Sequence, residues 1–171
     1  MTSPAATSHR HTETERKSEM LAIGCDHGGY QLKLELLRHL EERKIPYRDL
    51  GCHSEASCDY PDYAGAVCQA VASGECEKGV LLCGTGVGMS IAANKCRGIR
   101  AACCSDTFSA RYTRRHNDAN VLCMGGRVVG PGLGCELLDV FLDTPYDGGE
   151  RHDRRLRKIA ALEETRGRCE K

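Results

Sequence analysis

The sequence predicts an α/β fold, a three-layer sandwich in which a five-stranded parallel sheet is covered by helices on both faces. Short apolar runs of strand length alternate with longer stretches whose apolar residues recur every three to four positions. Parallel strands need crossover connections, and each helical stretch lies where such a crossover would run. The 171 residues suffice for one domain of this kind with a single well-filled core.

The first unit is MLAIGCD, a short buried strand ending in the turn DHGG, followed by LKLELLRHLEERK with leucines at helical spacing. After Pro46 come a strand around YRDLG, a polar loop through Ser57 and a helix in DYAGAVCQAVASGE. KGVLLCGTGVGMSIAANK then reads strand, glycine loop, helix. GIRAACCSD is the fourth strand, TFSARYTRRHN a helix with a basic end, and ANVLCMGG the fifth strand. A further helix begins near Pro131. The last, RHDRRLRKIAALEE, carries Leu156, Ile159, Ala160 and Leu162 on a narrow apolar face that could pack on its own domain or on a neighbouring subunit. Residues 1–18 hold almost nothing apolar and are expected to be a disordered tail, with the domain over 19–164 and a second tail over 165–171.

Lys plus Arg equals Asp plus Glu at 24 each, so no net field draws the chain to nucleic acid or to an anionic membrane. A small-molecule partner is expected. No apolar run approaches the roughly 20 residues that cross a bilayer, and the start lacks the apolar stretch of a signal peptide, so the expectation is a soluble, cytoplasmic protein. None of the twelve cysteines stands in a C-x-x-C arrangement. Most, including Cys68, Cys103, Cys104 and Cys123, sit in apolar stretches and read as small core residues rather than disulfides or metal ligands.

In an open parallel sheet, ligands bind outside the carboxyl ends of the strands where strand order reverses. The loops DHGG, CGTGVG, the one after CCSD and MGGR all fall at such ends and could share one mouth. Cys83-Gly84-Thr85-Gly86-Val87-Gly88 is the most informative of them, because it follows a strand and opens a helix. Its glycines make it either a tight turn or a backbone cradle for negative charge. Its spacing is G-x-G-x-G, which fits neither the dinucleotide fingerprint nor the nucleotide P-loop. Met89 stands where a cysteine phosphatase would carry its arginine. What remains is a thiol beside backbone donors, an arrangement suited to an enediolate, with Cys83 either a core residue or a base. His27 and His116 could reach the mouth or serve as caps. Arg127 follows a glycine pair at a strand end, and Arg151 and Arg155 lie four apart on one helix face, where they either clamp a phosphate or form a solvated basic face.

Together AIGCDHGG, DYPDYA, CGTGVGMSIAANK, the RRHND segment, NVLCMGGR and GGERHDRR resemble the type B ribose-5-phosphate isomerase family from about Leu21 to Leu162. The resemblance implies a Rossmann-like sheet, no metal or cofactor, and a homodimer with shared active sites, a dimer of dimers being a further level of assembly. The implied activity is interconversion of ribose 5-phosphate and ribulose 5-phosphate through an enediolate, in the non-oxidative branch of the pentose phosphate pathway. By residue, it implies Cys83 as the base at carbon 2, Gly84 and Gly88 as enediolate donors, Thr85 assisting proton movement between oxygens, and His116 opening the furanose ring. Asp26 and His27 would contact sugar or phosphate, Asp59 and Tyr60 line the pocket, Asn117 sit near the anion site, and Arg127, Arg151 and Arg155 hold the phosphate, with His152 in the same matched segment. A nearby subgroup acts on galactose 6-phosphate or allose 6-phosphate, and the pattern separates these from the pentose poorly. The rival from another class is a non-catalytic phosphosugar-binding domain, and a thiol-redox protein is a third reading.

Overall fold

The computed structural model describes residues 20–165. The expected tail over residues 1–18 lies outside them, as does the expected C-terminal tail apart from Thr165. The elements follow in the order β1 (Leu21–Cys25), α1 (Tyr30–Glu42), β2 (Tyr47–Asp49), α2 (Tyr60–Ala72), β3 (Lys78–Cys83), α3 (Val87–Ala93), β4 (Ala101–Cys103), α4 (Thr107–Asn117), β5 (Val121–Gly125), α5 (Pro131–Asp143) and α6 (Glu150–Thr165). The strands stand in the order β2-β1-β3-β5-β4, and every pairing is parallel.

β1 and β5 are buried throughout and β3 nearly so, as strands covered on both faces must be. Alternate side chains enter opposite layers. Ile23, Val80 and Leu82 meet Leu32, Leu36 and Leu40 of α1 and Leu137 and Phe141 of α5. Leu81, Val121 and Cys123 meet Val67 and Val71 of α2 and Met89 and Ala93 of α3. The edge strands β2 and β4 have three residues each and are partly exposed, which limits the open ladder they offer to other chains.

Local chemistry agrees with the helix boundaries. Pro131 opens α5, where a missing N–H costs nothing, and the Asp106 carboxylate accepts the Ser109 N–H at 2.7 Å to cap α4. On α1, Lys33 lies on the buried side at 1% exposure, its ammonium donating to both Asp49 oxygens (2.8 and 2.9 Å) and to the Cys52 carbonyl (2.6 Å). That pair, buried at its lysine end, fastens the end of β2 to α1. In α6 only His152 is buried, and Leu162 is 66% exposed, so the apolar stripe of that helix is open in the single chain. The Glu163 carboxylate accepts the Gly98 N–H at 3.0 Å and ties the far end of α6 to the loop before β4. No helix among the described residues is long and apolar enough to cross a membrane.

The cysteines follow the core reading with one correction. Cys68, Cys104 and Cys123 are buried, but Cys103 is exposed, because it ends the edge strand β4 where no further strand covers it. Burial pushes the thiols of Cys68 and Cys104 up, to about 12 and about 11, and raises Cys25 and Cys123 as well. These buried sulfurs are packing groups rather than nucleophiles.

Candidate active site

Strand order reverses between β1 and β3, so the loops leaving these two strands open the crevice where a ligand belongs. Cys25 pairs with Leu82, and the Asp26 N–H donates to the Leu82 carbonyl at 3.0 Å, so Asp26 and Cys83 leave the sheet side by side. Three glycine turns press together at this point. A Cβ on Gly28 would stand 2.9 Å from the Gly84 nitrogen, a distance only glycine permits. The Gly126 N–H donates to the Cys83 carbonyl (2.8 Å), and the Arg127 N–H to the Gly84 carbonyl (3.1 Å), which locks the loop after β5 onto the loop after β3.

Cys83 is 5% exposed, and its sulfur accepts the Gly86 N–H at 3.1 Å. Thr85 is exposed beside it, its hydroxyl accepting the Val87 N–H at 3.4 Å. The Arg127 guanidinium lies over Gly84, with Nη1 3.5 Å from where a Cβ would be. Oδ1 of Asp26 accepts the N–H groups of Gly28 (2.8 Å) and Gly29 (3.1 Å), so one carboxylate oxygen shapes the turn. His27 Nδ1 accepts the Cys58 N–H at 3.4 Å, which puts the proton of a neutral ring on Nε2. Asp59 occupies the N-cap of α2 without a side-chain capping bond, and the Tyr60 ring covers Gly88, 3.1 Å from the position of a Cβ there. Asp26, His27, Asp59, Tyr60, Cys83, Gly84, Thr85, Gly88 and Arg127 therefore gather at the carboxyl ends of β1 and β3.

His116, Asn117, Arg151 and Arg155 do not join them within the chain. α4 leaves the carboxyl end of β4 and runs back along the sheet, so its eleven residues carry His116 and Asn117 about 16 Å toward the opposite edge. There the Asn117 carbonyl accepts the Arg100 Nε–H (3.1 Å), just before β4 begins. The His116 ring stacks on His152 of α6 with centroids 4.6 Å apart and planes 16° apart, and Tyr112 meets His116 edge-on at 4.9 Å. An Arg151 guanidinium nitrogen lies 3.1 Å from His152 Nε2, while Arg155 is exposed. The Arg115 guanidinium donates to the Asp147 carboxylate at 2.9 Å and holds that acid below the usual carboxylate range. Burial, with Arg151 and His116 beside it, holds the His152 imidazole below the ordinary histidine range.

A family model described as Ribose/Galactose Isomerase matches residues 21–159, the whole span from β1 into α6. The chain belongs to the ribose/galactose isomerase family. It is 51% identical over 146 residues to the ribose-5-phosphate isomerase B of Escherichia coli, covering 85% of this chain and 97% of that one. Against the ribose-5-P isomerase B of Listeria innocua it is 42% identical over 144 residues, covering 84% of this chain and 95% of that one. Among solved structures it superposes on the ribose-5-phosphate isomerase B of Clostridium thermocellum with a TM-score of 0.85 at 47% identity, over 86% of this chain and 99% of that one. The type B ribose 5-phosphate isomerase of Trypanosoma brucei gives 0.82 at 47% identity, over 85% and 99%. In this family member the mouth has supports that motif reading overlooked. Lys33 is one, since Cys52, which it holds, donates its N–H to the Cys25 carbonyl at 2.7 Å, immediately before Asp26. Its signal was a lysine between leucines on an otherwise apolar helix face. Cys103 is another, with its sulfur 3.7 Å from the Thr85 carbonyl.

Proposed function

We propose that this member of the ribose/galactose isomerase family interconverts ribose 5-phosphate and ribulose 5-phosphate through an enediolate. The observation that carries the reading is the Cys83 sulfur, held by the Gly86 N–H inside a crevice walled by three glycine turns. The reaction shifts a carbonyl from carbon 1 to carbon 2 by proton transfers alone, and no electrons leave the substrate.

The roles follow from the chemistry at each position. His116 gives a proton to the ring oxygen as the bond from that oxygen to carbon 1 breaks, and the aldehyde forms as the carbon 1 hydroxyl loses its proton. The Cys83 thiolate removes the proton on carbon 2. The electron pair moves to the carbonyl oxygen, and the negative charge is met by the amides around Gly84 and Gly88. Thr85 assists the proton that passes between oxygens 1 and 2, and the Cys83 thiol returns its proton to carbon 1 to leave the ketose. Arg127, Arg151 and Arg155 hold the phosphate, Asn117 sits near it, and Asp26, His27, Asp59 and Tyr60 wall the sugar.

Since His116, Asn117, Arg151 and Arg155 occupy the edge away from Cys83, the working site needs them from a second copy of the chain. A homodimer with two shared sites supplies both halves. Val87 and Ile91 on α3 and Phe108 on α4, at 52%, 57% and 70% exposure, offer apolar surface for that contact. The catalytic domain is residues 19–164, and its place is the cytoplasm.

The test is turnover by the purified full chain on ribose 5-phosphate beside allose 6-phosphate, repeated with Cys83→Ala. The pentose should be preferred, and the variant should bind it while losing about 10²–10⁴-fold in rate. Near-normal turnover by Cys83→Ala removes the cysteine from the base role, and a preference for the six-carbon sugar reassigns the substrate.

A further inference from the structure

His152 is the one buried side chain of α6, and its contacts bear on another imidazole rather than on the core. Its ring lies nearly parallel to His116 at 4.6 Å, and Tyr112 meets the same His116 edge-on, so the His116 plane is held on two sides. Arg151 can only donate, so His152 Nε2 accepts from it and the ring proton sits on Nδ1. That Nδ1 is buried and has no hydrogen-bond partner among the described residues. His152 is thus oriented by two contacts, Arg151 at its Nε2 end and His116 against its face. We propose that His152 is a positioning residue, which sets by face-to-face stacking the plane of the His116 imidazole that opens the sugar ring.

The electrical setting agrees with this role. Arg151 and Arg155 on α6 and His116 on α4 bear on the ring, with Asp147, itself paired with Arg115, the acid on the connecting segment. Under this surplus of positive charge, burial and Arg151 keep His152 uncharged at neutral pH, so it presents a neutral face to His116 when His116 carries the proton it donates. A protonated neighbour at 4.6 Å would repel that charge instead.

The inference rests on the isomerase reading, and the two fail differently. A chain that does not isomerise any aldose phosphate sinks the functional reading. The inference itself is tested in the direction from ribulose 5-phosphate, an open-chain sugar, by following two rates in deuterated water. Deuterium entering carbon 1 of the ketose reports enediolate formation at Cys83, and net aldose formation adds the ring step. For His152→Ala the deuterium rate should stay near wild type while net conversion falls about tenfold, the order an aromatic stacking contact is worth. His152→Phe keeps a stacking face without the nitrogens and should restore most of the net conversion. A parallel loss of both rates in a folded His152→Ala protein would show a structural role and overturn the proposal. So would unchanged net conversion, or a phenylalanine variant no better than alanine.

Discussion

Gly86 precedes α3 with φ +79°, a backbone conformation that costs a residue with a Cβ about 1–2 kcal/mol. A Cβ there would also stand 2.8 Å from the Met124 carbonyl carbon and 2.9 Å from the Cys103 sulfur. The same residue supplies the N–H that Cys83 accepts, so any relief of that crowding moves the donor off the sulfur. Gly86→Ala should therefore remain folded yet lose about 10²-fold in kcat, the scale of a small misplacement of reacting groups. Thermal melting beside steady-state kinetics checks this, and an unchanged kcat would detach the Gly86 donor from the chemistry. Gly86 was conspicuous in the sequence because its whole loop is contiguous there. The pairing of His116 with His152 was not, since 36 positions separate them and no local pattern marks two imidazoles that will stack.

The helices divide by how they are held. α1 packs by Leu32, Leu36 and Leu40, spaced four apart, and this periodicity was legible in LKLELLRHLEERK. Leu36 is fully buried between α1 and α5, and Leu36→Ala should lower stability by about 2–5 kcal/mol in urea unfolding, with kinetics of the remaining folded enzyme unchanged. α4 depends on a charged cap. The Asp106 carboxyl is held below the usual carboxylate range by the Ser109 N–H, so its stabilisation is fully present above the ordinary carboxylate pKa and is lost as pH falls through the lowered one. Replacing it by asparagine keeps an uncharged cap, so wild type should exceed Asp106→Asn in urea midpoint at neutral pH and the gap should close as pH falls below the ordinary carboxylate range. A gap independent of pH would mean that the charge contributes nothing. For α6 the periodicity gave an apolar stripe but no partner for it. Its attachment through His152 and Glu163 uses single residues that meet distant parts of the chain, which a periodic pattern cannot report.

Across the whole molecule, the parallel sheet sends every strand the same way and every crossover helix back. Residues at the start of a helix thus share the edge of Cys83, and those at the end of α4 share the opposite edge. Under the proposed roles, this direction is what divides the site's residues between two ends of one chain. Mixing Cys83→Ala chains with His116→Ala chains should restore activity, because one of the two sites in each mixed dimer receives both residues intact. With random pairing, about one quarter of wild-type activity is expected. Activity after mixing that stays at the level of the separate variants would place both residues in one chain's site, and native mass spectrometry, which resolves the three dimer masses, shows whether mixed dimers formed.

The order of strands and helices along the chain, the cores they fill and the glycine loops at the strand ends were all written locally, since burial imposes a period of two on a strand face and 3.6 on a helix. The family pattern was likewise a matter of contiguous segments, and Cys83 with its glycine loop was readable before any coordinate. The reversal of strand order between β1 and β3, which brings Asp26 beside Cys83, depends on packing between residues more than 50 positions apart. The Lys33–Asp49 pair beneath the mouth and the stack of His152 on His116 likewise join residues of different elements, 16 and 36 positions apart. These belong to the tertiary structure because a side chain's neighbours across the sheet are chosen by how whole elements pack, while sequence periodicity records only which face each residue turns inward.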